Sequence, residues 1–172
     1  MLVYLKHHSA RFLEVLKQTD EQYLIYGYNR TARDGNLTFR VFSEHMHDEL
    51  GACKAVMGTA GMSLISEATW LKKPFFGIPL QNEFEQMWNA TMVRRANFGT
   101  FSEVPTKEDV VGFFRHLDDY RSSLEQYHFD PDAAANKLLE LIGRNSGRAP
   151  KALAARDLCP RRPDSDQSTA WT

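Results

Sequence analysis

The stretch AVMGTAGMSLISEATWLKKPFFGIPLQNEFEQMWNA, residues 55–90, decides how this chain is read. A short apolar run ends in Gly58-Thr59-Ala60-Gly61. A helix-like segment over 62–71 follows and carries Glu67, then a second apolar run ends in Pro79, then a polar segment carries Gln86 and Asn89. Strand, glycine turn and helix start together hold phosphate well, because free amides at the helix start point at the anion and the helix dipole favours its charge. The glycines are expected to permit close backbone approach and positive φ. Taken alone, the turn still favours the ordinary reading of a strand-to-helix connection, since glycine punctuates turns everywhere.

The residues that follow sharpen it. Glu67 lies six residues after Gly61 in an otherwise weakly polar helix. A carboxylate there can accept from both hydroxyls of a ribose whose phosphates sit at the helix start, the logic of the acidic residue in dinucleotide sites. The competing reading is a solvated charge on an amphipathic helix. Gln86 and Asn89 are three apart and share a helix face, and amides that both donate and accept suit sugar hydroxyls. The alternative is a polar outer face with Met87 and Trp88 packed inward.

Working outward, strands alternate with helices. Strands are expected over 2–5, 22–26, 37–42, 54–57, 75–78 and 99–101, and helices over 10–17, 44–50, 62–71 and 84–95. Residues 28–36 are polar and hold the turn signal Asp34-Gly35. Thr106 is the expected N-cap of a further helix, and Asp130-Pro131 opens a last one that ends near Gly143. This pattern predicts an α/β fold, a Rossmann-like parallel sheet with helices on both faces. Such sheets bind ligands beyond the carboxyl ends of their strands, and three loops meet there: the glycine turn, the segment after Pro79, and Ser43-Glu44. Residues 1–143 read as one domain, and 144–172, polar and without periodicity, as a disordered tail.

Composition excludes several classes. The 172 residues carry a formal net charge of -1, with a hydrophobic fraction of 42%, so nothing global points to nucleic acid or anionic lipid. Cys53 and Cys159 make no disulfide framework and no metal spacing, and a reducing compartment is the default. Lys6, His7 and His8 cut the N-terminal apolar run short, so no signal peptide is expected. His45 and His47 point apart at helical spacing, which disfavours a shared metal. Arg94-Arg95 and Arg161-Arg162 read as solvated surface, and Phe113-Phe114 with Leu117 as a core stripe. No Ser-His-Asp arrangement can be assigned.

The combination over 55–90 resembles the donor-binding half of a GT-B glycosyltransferase, of the family-28 type that includes the N-acetylglucosaminyltransferase acting on lipid II precursors. The shared features are the turn Gly58-Thr59-Ala60-Gly61, Ser66-Glu67-Ala68, Pro79, and Gln86-Met87-Trp88-Asn89-Ala90. Phe42-Ser43-Glu44-His45-Met46 is similar to the segment that holds the nucleobase through backbone atoms. The resemblance extends loosely from Leu2 to about Ile142. It implies that Ser43 and Met46 line the base pocket, that Gly61, Met62 and Ser63 contact the diphosphate, that Glu67 holds the ribose, and that Glu85, Gln86 and Asn89 face the donor sugar or diphosphate. Where many members carry a glycine-rich loop after the first strand, this chain has Lys6-His7-His8-Ser9, and Glu85 stands where relatives often have an amide or Asp.

The implied chemistry is hexosyl transfer from a nucleotide diphosphate sugar, a UDP-sugar by preference, with helix amides rather than a cofactor or metal stabilising the leaving diphosphate. The acceptor site and general base belong to an N-terminal half. The expected partner is therefore that half, in the same or a separate chain, with no nucleic acid. The expected location is cytoplasmic, with peripheral association to the membrane face through the partner. Two rivals stay open: a sugar-nucleotide epimerase of the same architecture, and a non-catalytic interaction module.

Overall fold

The computed structural model describes residues 1–5, 9–128, 130 and 133–146. The chain divides into two compact units, Met1–Tyr127 and His128–Thr172. The first holds seven strands: β1 (Leu2–Tyr4), β2 (Tyr23–Tyr26), β3 (Ala32–Asp34), β4 (Leu37–Phe39), β5 (Val56–Gly58), β6 (Phe75–Gly77) and β7 (Gly99–Phe101). Its helices are α1 (Ala10–Lys17), α2 (Met46–Ala52), α3 (Met62–Trp70), α4 (Phe84–Arg95), α5 (Lys107–Arg115) and α6 (Leu117–Gln126).

The sheet order is β3-β4-β2-β1-β5-β6-β7, all parallel except the β3 edge. Without β3, that is the doubly wound order in which the chain reverses direction across the sheet between β1 and β5. The parallel strands are short, and β5 and β6 are buried on both faces, as parallel strands between helical layers must be. Alternate residues feed opposite cores. Val3 pairs in register with Ile25 and Met57, and Met57 with Phe76. These four pack with Phe12, Leu13 and Leu16 of α1, Val110 and Phe113 of α5, and Leu117 and Tyr120 of α6. Leu2, Val56 and Phe75 serve the other face, against Met46 and Leu50 of α2, Leu64, Ile65 and Ala68 of α3, and Ala90 and Val93 of α4. The expected parallel sheet with helices on both faces is the observed one.

Several local expectations shift. The strand expected over 37–42 ends at Phe39, and the helix expected over 44–50 runs from Met46 to Ala52. The polar run 28–36 contains β3, an antiparallel hairpin partner of β4. Its three residues are exposed, so no apolar alternation marks it. Gly35, with φ +59, makes the hairpin turn that Asp34-Gly35 signals. Thr106 does cap α5, in a reciprocal capping box with Asp109, and α6 follows it directly.

The second unit is described through α7 (Ala133–Ser146). This helix runs past the expected end at Gly143, and its Lys137 pairs with Glu140 at 2.9 Å. The tail from residue 147 onward, and the segment Lys6-His7-His8, lie outside the described residues. Among the described residues, no helix is long and apolar enough to cross a membrane.

Candidate functional site

The carboxyl edge of the sheet collects the β4–α2 loop (40–45), the β5–α3 turn (59–61) and the β6–α4 loop (78–83). The β5–α3 turn lies beside the point where the winding reverses, where open α/β sheets hold ligands.

The turn is built tightly. Gly61 donates to the carbonyl of Thr59 at 2.7 Å, and Thr59 and Ala60 are buried. Gly58 is required by packing: a β-carbon there would lie 2.6 Å from the Tyr4 carbonyl oxygen and 2.8 Å from Leu64 Cδ2. Gly61 is different. Its φ is -76°, so the positive φ expected of these glycines is not what the turn uses. A β-carbon on Gly61 would meet nothing within 4 Å.

Gly61 is the N-cap of α3 and has no side chain to cap with. The first turn of α3 also contains no acidic residue. Each other helix of the first unit has one or the other: a Ser9 or Thr106 cap on α1 and α5, or first-turn carboxylates on α2, α4 and α6. Among the described residues of that unit, α3 alone opens with neither. Its leading amides, those of Met62 and Ser63 among them, are donors without an internal acceptor, at the positive end of the helix dipole.

Met62 and Ser63 are exposed, and Ser63 and Glu67 fall on one face of α3, a single turn apart. Glu67 sits about 7.5 Å along the axis from Met62. It is half-buried, because Leu64, Ile65 and Ala68 carry the sheet-facing side of the helix. His47 Nε2, near the start of α2, lies 3.9 Å from Glu67 Oε2. That contact brings the start of α2 next to Glu67 of α3.

The β4–α2 loop divides its predicted residues. Ser43 is half-buried, and its carbonyl accepts from the Met46 N–H at 3.1 Å. The Met46 side chain is only 5% exposed and belongs to the core below. The side chain anchors the end of the loop from below.

The amides of α4 turn toward the protein. Asn89 is 3% exposed, and its Nδ2 donates to the Ala60 carbonyl at 3.1 Å and toward Glu85 Oε1 at 3.5 Å. Gln86 Oε1 accepts from the Leu80 N–H at 3.1 Å. They share the face that the spacing predicts, and each brings one loop of the edge into place. Glu85 is exposed beside them. Trp88 does not pack inward: it is 54% exposed and stacks on Phe84, itself 81% exposed, with ring centroids 6.4 Å apart.

Sequence reasoning passed over one cluster at this edge. Glu49 of α2 accepts from the Tyr26 hydroxyl through Oε2 and pairs with Arg40 Nε at 3.3 Å through Oε1. Burial first, then the neighbouring carboxylate, pushes the Tyr26 phenol up to about 12. The three residues come from β2, the loop and α2, so no single stretch of sequence displays them together.

This fold is that of a GT-B glycosyltransferase domain. Three solved glycosyltransferases share it. SnogD from Streptomyces nogalater aligns with a TM-score of 0.55 at 19% identity, over 83% of this chain and 42% of its own. The spinosyn forosaminyltransferase SpnP aligns with a TM-score of 0.59 at 13% identity, over 83% and 43%. VinC, solved in complex with DTDP, gives 0.60 at 16% identity, over 83% and 42%. The chain belongs to glycosyl transferase family 1, whose model matches residues 1–118. No curated protein sequence is a detectable relative. The chain spans about two fifths of the length of these solved structures.

Proposed function

We propose that this chain is the donor-binding half of a glycosyltransferase, taking a nucleotide diphosphate sugar for hexosyl transfer to an acceptor. The observation that carries the reading is the open start of α3, where uncapped amides and a Gly61 with free space around it stand at the winding reversal. The diphosphate binds the amides of Gly61, Met62 and Ser63. Glu67, one turn further on the same face, takes the ribose hydroxyls. The loop of Ser43 and Met46 receives the base, and exposed Glu85 faces the sugar, while Gln86 and Asn89, turned inward, hold the neighbouring loops in place. As the glycosidic bond breaks, charge grows on the leaving diphosphate, and fixed amides stabilise it without reorganising.

The motif order over 55–90 fits the family-28 type, and a UDP-sugar is the favoured donor. VinC was solved with DTDP, so a dTDP-sugar is the other donor to test. The acceptor and general base come from an N-terminal half, in the same or a separate chain. Support for that partner comes from Val41, Phe42, Met62, Phe84 and Val104, large apolar side chains that stand exposed around the carboxyl edge. An apolar rim of this kind marks an interaction surface. A membrane-face location follows only through the partner.

The test is calorimetric titration of the chain with UDP, dTDP, GDP, ADP and NAD. One nucleoside diphosphate is expected to bind with a clear preference, lost in Glu67→Ala. No heat from any of them at millimolar concentration would overturn the reading.

A further inference from the structure

We infer that Arg40 and Glu49 are positioning residues for the nucleobase, acting through the β4–α2 loop; this rests on the donor-site reading above. Arg40 opens the loop. Its backbone N–H donates to Ile25 at 2.9 Å, and its Nε pairs with Glu49 at 3.3 Å. Glu49 lies in the first turn of α2, where the loop ends, and its other oxygen takes the Tyr26 hydroxyl at the carboxyl end of β2. One carboxylate thus ties both ends of the loop to the central sheet.

The loop has little else to define it. Among the described residues, its own bonds are the Met46 N–H to Ser43 and the Glu49 N–H to His45, both backbone contacts of the turn into α2, with an exposed 3.9 Å contact from His45 Nδ1 to Asp48 Oδ2 beside them. Val41 and Phe42 are exposed. A base read by loop backbone atoms needs those atoms held within a fraction of an ångström; the buried Met46 side chain holds the end of the loop, and the Glu49 clasp holds its start at Arg40. The cluster is built to be firm: Tyr26 is fully buried and Glu49 largely so, and hydrogen bonds to a charged group at low local dielectric are strong.

The diphosphate and the base separate the two roles. Affinity for inorganic pyrophosphate reports the α3 amides alone, whereas discrimination among UDP, dTDP, GDP and ADP reports the loop. Arg40 is 54% exposed, so Arg40→Ala removes the clasp without opening a cavity. We expect Arg40→Ala and Glu49→Gln to weaken the preferred nucleoside diphosphate by about tenfold. The spread of affinities among the four nucleotides should narrow, pyrophosphate affinity should stay at the unsubstituted value, and Arg40→Lys should restore part of the loss. Unchanged preference among bases in a stably folded Arg40→Ala would overturn this inference and leave the donor-site reading standing. So would a parallel fall in pyrophosphate affinity. If the unsubstituted chain binds no nucleoside diphosphate, both fail together.

Discussion

The side-chain amide of Asn89 donates to the carbonyl oxygen of Ala60 at 3.1 Å, across 29 residues of sequence and inside the protein. This bond fixes the glycine turn from below, so the open start of α3 depends on a residue of α4. Asn89→Ala strands a buried carbonyl, which costs about 2 kcal/mol, a Tm drop of roughly 5 °C in a domain of this size. Thermal unfolding with and without the preferred nucleoside diphosphate should show the lower Tm together with a smaller ligand-induced rise. An unchanged Tm would mean that the turn holds its shape without α4.

Gly58 and Gly61 separate structural from ligand-facing glycine. Gly58→Ala forces a β-carbon against the Tyr4 backbone and Leu64, an overpacking cost of about 1–3 kcal/mol. Gly61→Ala meets no protein atom beyond its chain neighbours within 4 Å and keeps an ordinary φ, so its Tm should fall only by the weaker N-cap, about 0.5–1 kcal/mol and less than for Gly58→Ala. Its nucleotide affinity should nonetheless fall, because the new methyl occupies the space the diphosphate needs. Side-by-side melting and titration of the two variants checks both halves.

Among the described residues, the ionisable side chain beside Glu67 is that of His47 at 3.9 Å, with His47 exposed and Glu67 half-buried. Such a pair contributes little to folding, of order 0.5 kcal/mol. Glu67→Ala should therefore melt like the parent. Its loss of charge-assisted bonds to a ribose should weaken nucleotide binding by about tenfold to a hundredfold. Ribose dependence can be read directly by comparing UDP with a dideoxy analogue, which should bind the parent and the variant about equally.

Two phenols give the fold an alkaline limit. Burial pushes Tyr23 up to about 12, against the lowering effect of its hydrogen bond with Thr19, and burial with Glu49 pushes Tyr26 up to about 12. An unfolded tyrosine titrates near pH 10. The folded state therefore keeps protons that the unfolded state has lost, and stability falls as pH rises. It is fully present below about pH 10 and declines toward pH 12. Tm measured across that window should drop steeply, with phenolate absorbance appearing in step with unfolding. A flat Tm through pH 11 would contradict the burial of both rings.

Legibility in the sequence followed locality. The buried parallel strands were readable because 56–58 and 75–77 are dense apolar runs between glycine and proline. The capping of α5 was readable because Thr106 and Asp109 are three residues apart. β3 was not, since an exposed edge strand buries nothing and so leaves no alternation. The face shared by Gln86 and Asn89 was legible from their spacing, but its direction was not: their bonding partners Leu80 and Ala60 are placed by the fold. Tyr26, Arg40 and Glu49 were invisible for the same reason, being three unremarkable residues until the sheet brings them together. Gly61 shows the reverse error, where a glycine suggested unusual backbone geometry and the structure uses only the space that it leaves.

The placement of β1 at the middle of the sheet bears on how this domain comes into being. Leu2, Val3 and Tyr4 pair with β2 on one side and with Val56, Met57 and Gly58 on the other. Within this domain the central strand emerges ahead of its second neighbour, which follows only after two helices and three more strands. Until Gly58 arrives, one flank of Leu2–Tyr4 is an unsatisfied edge open to strangers, and closing it joins residues far apart in sequence, a slow step. The surface that will frame the glycine turn thus begins to form only when β5 arrives, and chaperone dependence or aggregation should concentrate in nascent chains that stop short of β5.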